Sequence, residues 1–266
     1  MMKIYFAGDA YDDILAGCGV KNVLKSAYYL DYKKSLKELK SRFPSLLLDS
    51  GGFTARTRGV KVSVSQYANY INQEGLDLVF ELDTSDPDET KANRDYLKSH
   101  VNAYVIPIYH YSDFCHPRYR GLLDEFVENY EYIAIGGVAG VDLGKEAEIT
   151  LYKYVFNRTK DKIKVHGLGI TDTRVLKAYP FYSVDSTSWF APCRYGKKNT
   201  RYGKRDSLKP VDFGYKKNQS GIRQALKDKS NSRLKSVRAA IPEIKVMLTQ
   251  EKQITELWER KGVVWQ

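Results

Sequence analysis

The sequence predicts an α/β fold, a (β/α)8 TIM-like barrel with a basic loop and a helical C-terminal region. Three observations lead there. The chain has 266 residues, 42% of them hydrophobic, enough for a full core and the size of one barrel rather than two average domains. Short apolar runs alternate with amphipathic polar stretches. The apolar runs also end in acidic, histidine or glycine-rich groups.

Taken in order, the strand candidates are Lys3 to Ala7, Ser45 to Leu48, Leu76 to Leu82, Ala103 to Tyr109, Tyr132 to Ile135, Ile163 to Leu168 and Phe181 to Val184. They are rich in β-branched, leucine and aromatic residues, which suit a pleated, buried surface. Between them the spacing predicts helices over Lys33 to Arg42, Ser65 to Glu74, Asp88 to Ser99, Arg120 to Asn129 and Glu146 to Asn157. Repeated βα units imply a parallel sheet. An open doubly wound sheet fits the same alternation, so barrel closure rests on the number of units. Residues 1–266 are read as a single domain. From about 220 to 260, Leu234, Val237, Ile241, Ile244, Leu248, Ile254 and Leu257 recur at helical intervals, with Pro242 expected to break or start a helix.

The formal charge is +11, and its location matters more than its size. Residues 194–240 hold 15 Lys and Arg against 3 Asp, a net of +12, so the rest of the chain sums to −1. Within that segment Arg194, Lys197, Lys198, Arg201, Lys204 and Arg205 are interleaved with Tyr195, Tyr202 and glycines. This composition suits phosphates and stacked bases, and nucleic acid is the expected partner. Phosphate charge alone does not separate DNA from RNA.

Other classes are disfavoured. No run approaches the roughly 20 apolar residues of a membrane span, and the start does not read as a signal peptide, so no membrane partner and a cytoplasmic location are expected. Cys18, Cys115 and Cys193 are far apart, which gives no disulfide framework and no metal site. Gly51-Gly52 and Gly136-Gly137 form neither a GxGxxG nor a GxxxxGK[ST] loop, so no nucleotide cofactor is expected.

The strand ends carry the candidate chemistry: Asp49-Ser50-Gly51-Gly52-Phe53, Glu81-Leu82-Asp83, Tyr109-His110, Gly136-Gly137-Val138-Ala139-Gly140, His166-Gly167-Leu168-Gly169 and Asp185-Ser186. In a barrel all of these meet at the C-terminal rim. Each aspartate taken singly also suits a helix N-cap.

Asp49-Ser50-Gly51-Gly52-Phe53 resembles the DSGG[FY] motif of the tRNA-guanine transglycosylases, and Gly136-Gly137-Val138-Ala139 resembles their GG[LV]A turn. Phe80 to Asp83, His166 to Gly169 and Val184 to Ser186 follow in the order of that family's later strand ends. The resemblance spans about Ile4 to Trp189. It implies a (β/α)8 barrel that exchanges guanine in a nucleic acid for a 7-deazaguanine base such as 7-cyano-7-deazaguanine (preQ0), without a cofactor.

By position, the resemblance makes Asp185 the nucleophile at C1′ and Asp49 the general acid and base. Asp83 would hold the N1 and N2 edge of the base, while Ser50, Gly51, Gly136, Gly137, Val138 and His110 would complete its pocket. Phe53 or Tyr109 could stack on that base or fill core. The family has Gln where this chain has Tyr109-His110.

Cellular members carry a zinc site of three Cys and a His after the nucleophile, where this chain has Cys193 alone. A compact, zinc-free chain with a basic loop after the nucleophile is more similar to the DpdA type. That type modifies DNA in bacteriophages and bacterial DNA-modification clusters, which implies host cytoplasm if the gene is phage-borne. DNA is therefore the expected polymer, with tRNA the alternative. A barrel that releases guanine by hydrolysis and a non-catalytic nucleic-acid-binding paralogue are further alternatives. Accessory proteins and a homodimer both stay open.

Overall fold

The computed structural model describes residues 1–8, 11–138, 144–160, 162–191 and 231–265, with side chains from 240 onward in the last segment. Nine parallel strands form one sheet: β1 (Lys3–Ala7), β2 (Asn22–Ser26), β3 (Ser45–Asp49), β4 (Leu78–Phe80), β5 (Tyr104–Ile106), β6 (Ile108–His110), β7 (Tyr132–Gly136), β8 (Lys164–Gly167) and β9 (Ser183–Ser186). Their order is β5-β4-β3-β2-β1-β9-β8-β7-β6. The two ends of that order, β5 and β6, are consecutive in the chain across Pro107 alone. They act as one broken stave, β5 bonded to β4 and β6 to β7, so nine strands make the eight staves of a nearly closed barrel. The open-sheet alternative is thereby set aside.

The break has a local chemical cause. Proline has no N–H to give a ladder. The next amide, Ile108 N–H, donates instead to Glu81 Oε1 at 2.6 Å. Glu81 is fully buried, and its other oxygen accepts from Arg94 Nε at 2.5 Å. Arg94 comes from the long helix after β4, so one carboxylate ties helix, broken stave and wall together.

Around the barrel lie α1 (Asp12–Gly17), α2 (Lys37–Arg42), α3 (Gly52–Thr57), α4 (Val64–Glu74), α5 (Pro87–His100), α6 (Tyr111–Cys115), α7 (Leu122–Asn129), α8 (Lys145–Thr159), α9 (Thr173–Ala178) and α10 (Asn231–Arg260). The predicted helices correspond to α2, α4, α5, α7 and α8. The start of α5 is set by Asp86, which accepts the Asp88 amide at 2.9 Å, and by Pro87, whose fixed φ suits a first turn.

Two expectations need correction. A strand was missing from the seven: β2 lies between β1 and β3. Pro242 neither breaks nor starts a helix but sits inside α10. That helix packs on β1, α1 and α9, where Glu251 accepts the Ile4 amide at 2.6 Å and the Asn22 side-chain amide at 3.1 Å. Residues 220–230 lie outside the described residues.

Strand alternation sorts the core into two layers. Outward residues such as Ile4, Phe6, Val23, Ile133, Ile135, Val165 and Val184 pack under the helices. Tyr5, Ala7, Leu24, Leu47, Phe80, Ile106, Ile108, Tyr132 and Ala134 pack together as the barrel interior. Among the described residues no helix is long and apolar enough to cross a membrane.

Candidate active site

The same alternation builds the site. Two residues beyond inward Leu47 comes Asp49, beyond Leu24 comes Ser26, beyond Ile108 comes His110, beyond Ala134 comes Gly136, and beyond Ser183 comes Asp185. All strands run parallel, so these residues form the top interior layer at the C-terminal mouth, where barrel loops converge. The ladder pairs Ser26 with Asp49 and His110 with Gly136.

Asp49 is half-buried, and its Oδ2 accepts the Gly51 amide at 2.9 Å. Loss of solvation pushes its carboxyl up to about 7, and negative charge on Asp83 and Asp185 adds to this. The Gly51 amide and the neighbouring Ser26 hydroxyl pull the other way. Aspartates far apart in sequence, Asp83 and Asp185, thus both act electrostatically on Asp49. At neutral pH such a group is divided between acid and base.

Asp185 is held differently. Its Oδ1 accepts the Gly169 amide at 3.0 Å and faces His166 Nε2 at 3.1 Å. Behind it a buried chain continues: His166 Nδ1 to Ser183 Oγ at 2.5 Å, then Ser183 Oγ to the Tyr132 hydroxyl at 2.5 Å. His166 is fully buried, with Phe80 edge-on at 5.0 Å and Tyr5 at 6.0 Å between ring centres. The imidazole and the Gly169 amide thus both fix the same carboxylate oxygen, Oδ1. Ser183 is itself fully buried beneath Asp185 and has no path to a substrate.

Asp83 follows β4 and is nearly buried. Its Oδ2 lies 3.4 Å from His110 Nε2 and 3.7 Å from an Arg56 guanidinium nitrogen, while Arg56 also donates to the Asp83 carbonyl at 3.1 Å. His110 is set by its own amide, which donates to Asp113 Oδ2 at 2.9 Å, and by the space that Gly136 leaves. A Cβ on Gly136 would meet Ile108 Cγ2 at 2.8 Å and the His110 ring at 2.9 Å. Gly51 has φ +77°, and a Cβ there would lie 2.4 Å from Tyr28 Cβ, so only glycine permits the turn after Asp49.

Not every predicted residue faces the mouth. Ser50 is fully buried, and its hydroxyl accepts the Gly52 amide at 3.2 Å. Val138 packs in the outer core, and Gly137, at φ +75°, turns the chain past the Tyr111 amide. Tyr109 is core, its hydroxyl bonded to the Arg120 carbonyl at 3.1 Å, whereas Phe53 is 66% exposed on α3. Arg194, Lys197, Lys198, Arg201, Lys204 and Arg205 lie outside the described residues, as does Cys193. Described chain reaches to Ala191, just past the 3-10 turn Ser188–Phe190, where the Trp189 indole N–H donates to the Ala7 carbonyl at 3.0 Å.

Sequence reasoning missed Ser183, Tyr132 and Arg56, and it noted His166 only as part of a strand end. The signal was present for the chain behind Asp185: three polar residues at inward positions of adjacent staves, where apolar ones are usual. Among the described residues no three His, Cys, Asp or Glu side chains gather as a metal-binding set. No family model matches the chain, and no curated protein sequence is significantly similar to it.

Proposed function

We propose that the protein is a DNA-guanine transglycosylase, which exchanges guanine in DNA for a 7-deazaguanine base through a covalent aspartyl-glycosyl intermediate. The observation that carries this reading is the pair of unlike carboxylates in one barrel mouth. Asp185 is fixed from behind by His166 and Gly169, as a nucleophile must be, and Asp49 is held up to about 7 where it can give and take a proton. Two carboxyl groups in different surroundings, one a nucleophile and one a proton handler, are what glycosidic chemistry uses.

In this reading Asp185 attacks C1′ of the target deoxyribose as the bond to guanine N9 breaks. The bonding electrons leave with the guanine, which takes a proton from Asp49. The incoming base then gives its N9 proton to Asp49 and attacks C1′, and Asp185 departs as carboxylate. Atoms and charge balance without a cofactor or oxidant. Asp83 supplies two acceptor oxygens for the N1 and N2 edge of either base, and Arg56 and His110 hold it ready. The target nucleotide must leave its stack to reach this depth, at a cost of a few kcal/mol that is least in single-stranded DNA.

The test is incorporation of radiolabelled 7-cyano-7-deazaguanine, and separately guanine, into duplex DNA, single-stranded DNA and unmodified tRNA. Label in DNA that disappears with Asp185→Ala supports the reading. Label in tRNA alone assigns the same chemistry to the other polymer, and release of guanine without label makes the enzyme a hydrolase.

A further inference from the structure

Beside the mouth, the connection after β2 and the short helix α3 expose a cluster of rings and cations. Tyr28 packs on the Gly51 turn, two residues beyond Asp49. Tyr29 stands edge-on to it at 5.6 Å and is 45% exposed. The Arg58 guanidinium lies over both rings, 5.5 Å from Tyr28 and 5.8 Å from Tyr29. On the same helix, Arg56 lies 5.9 Å from the exposed Phe53 ring. A cleft of about 700 Å³ leads from Gly52 and Asp83, at the mouth, past Arg56 to Val60 and Lys61.

We propose that Tyr28, Tyr29, Phe53, Arg56, Arg58 and Lys61 form a subsite for a single strand of DNA flanking the target nucleotide, its bases stacked on Tyr29 and Phe53 and its phosphate held by Arg58. This deepens the transglycosylase reading and rests on it for the target nucleotide alone. Exposed rings interleaved with guanidinium groups are the chemistry that sequence-tolerant single-strand binding uses, because every base has a face to stack and every linkage a charge. An apolar protein partner fits less well, since two guanidinium groups stand among the rings. The acidic groups here are already answered: Glu89 pairs with Lys61 at 3.0 Å, and Asp83 faces Arg56 and His110. Arg58, by contrast, meets two rings and no carboxylate at ion-pair distance among the described residues.

The position gives the subsite its use. A nucleotide extruded to Asp185 must be held on at least one side, or the strand restacks. The basic segment 194–240 follows Asp185 in the chain. Tyr28 and α3 instead flank Asp49, three staves away from β9 in the sheet order. A strand gripped on this side would be fixed at the Asp49 and Asp83 edge of the mouth.

The experiment is fluorescence polarisation of the whole protein with a fluorescein-labelled oligothymidylate of about 15 nucleotides, long enough for a typical single-strand site. Tyr29→Ala and Phe53→Ala are each expected to weaken binding by about tenfold while leaving heparin binding unchanged. Arg58→Ala is expected to lower the slope of log K against log salt by about 0.7. All three positions are exposed, and unchanged thermal melting confirms that the variants fold. Ring variants that bind oligothymidylate like the wild type overturn the subsite, as does wild-type protein that does not bind it. Weakened variants together with a wild type that incorporates no labelled base would keep the subsite and remove the exchange reaction. Unchanged binding together with normal incorporation would do the reverse.

Discussion

Asp49 and Glu81 sit on neighbouring staves of one barrel, and burial pushes both carboxyl groups up to about 7, yet they have opposite surroundings. Glu81 is sealed in the wall, with the Arg94 guanidinium on one oxygen and the Ile108 amide on the other. Asp49 faces the mouth, where one backbone amide donates to it, the Ser26 hydroxyl lies nearby and the charges of two further aspartates act on it. A raised carboxyl therefore does not by itself mark a catalytic group. What separates the two is whether the proton can reach a substrate. Glu81 spends its acceptor capacity on holding a broken stave, whereas Asp49 stands at the mouth, where the proposed exchange would use it.

The comparison can be broken at either residue. The largest effect is expected in the wall: Arg94→Met strands a buried carboxylate and should destabilise the fold by about 3–5 kcal/mol, measured by urea denaturation at pH 7.5. Equal stability there would mean that Glu81 is neutral without its partner. In the mouth, Asp49→Asn should cost about 10²–10⁴ in the rate of base exchange while the protein still binds DNA, because it removes the proton carrier and keeps the shape. His166→Phe is expected to lower the exchange rate by about 10², since Asp185 then loses the group that orients it. A purely structural role for His166 would instead lower thermal stability and leave the rate per folded molecule unchanged.

The smallest effect concerns stability against pH. Both carboxyl groups have folded values above their unfolded ones, so the folded state holds their protons more tightly. Stability from this source is complete below about pH 4 and is lost as the pH rises through about 7. Asp49→Asn abolishes one such loss and should stabilise the protein by about 1–2 kcal/mol at pH 8, a figure reduced because the carboxylate keeps contact with water. The gain should vanish near pH 4. A variant less stable than the wild type at pH 8 would place Asp49 among structural groups like Glu81.

Much of this arrangement is legible in the sequence, for physical reasons. Strands such as Lys3–Ala7 are short runs rich in apolar residues, and the parallel order then forces Asp49, Asp83, His110 and Asp185 to one rim. Stave β2 escapes because Asn22 and Lys25 read as solvent-facing. Lys25 is instead buried, its ammonium donating to Asp12 and to the Gly8 carbonyl, both at 2.5 Å. Pro107 reads as part of one strand, and its compensation by Glu81 depends on a partner 26 residues earlier. The chain behind Asp185 is hidden for the same reason. His166, Ser183 and Tyr132 are unremarkable singly, and only the register of β7, β8 and β9 brings them into line.

The central claim, that Asp185 forms a covalent bond to the sugar while Asp49 handles the proton, is tested most directly by intact-protein mass spectrometry. The protein would be mixed with a guanine-containing single-stranded oligonucleotide and denatured at successive times. A protein-oligonucleotide adduct lacking one guanine, discharged by added 7-cyano-7-deazaguanine and absent in Asp185→Asn, is the result expected here. An adduct that persists in Asp185→Asn, or base exchange that proceeds with no adduct at any time point, would contradict it.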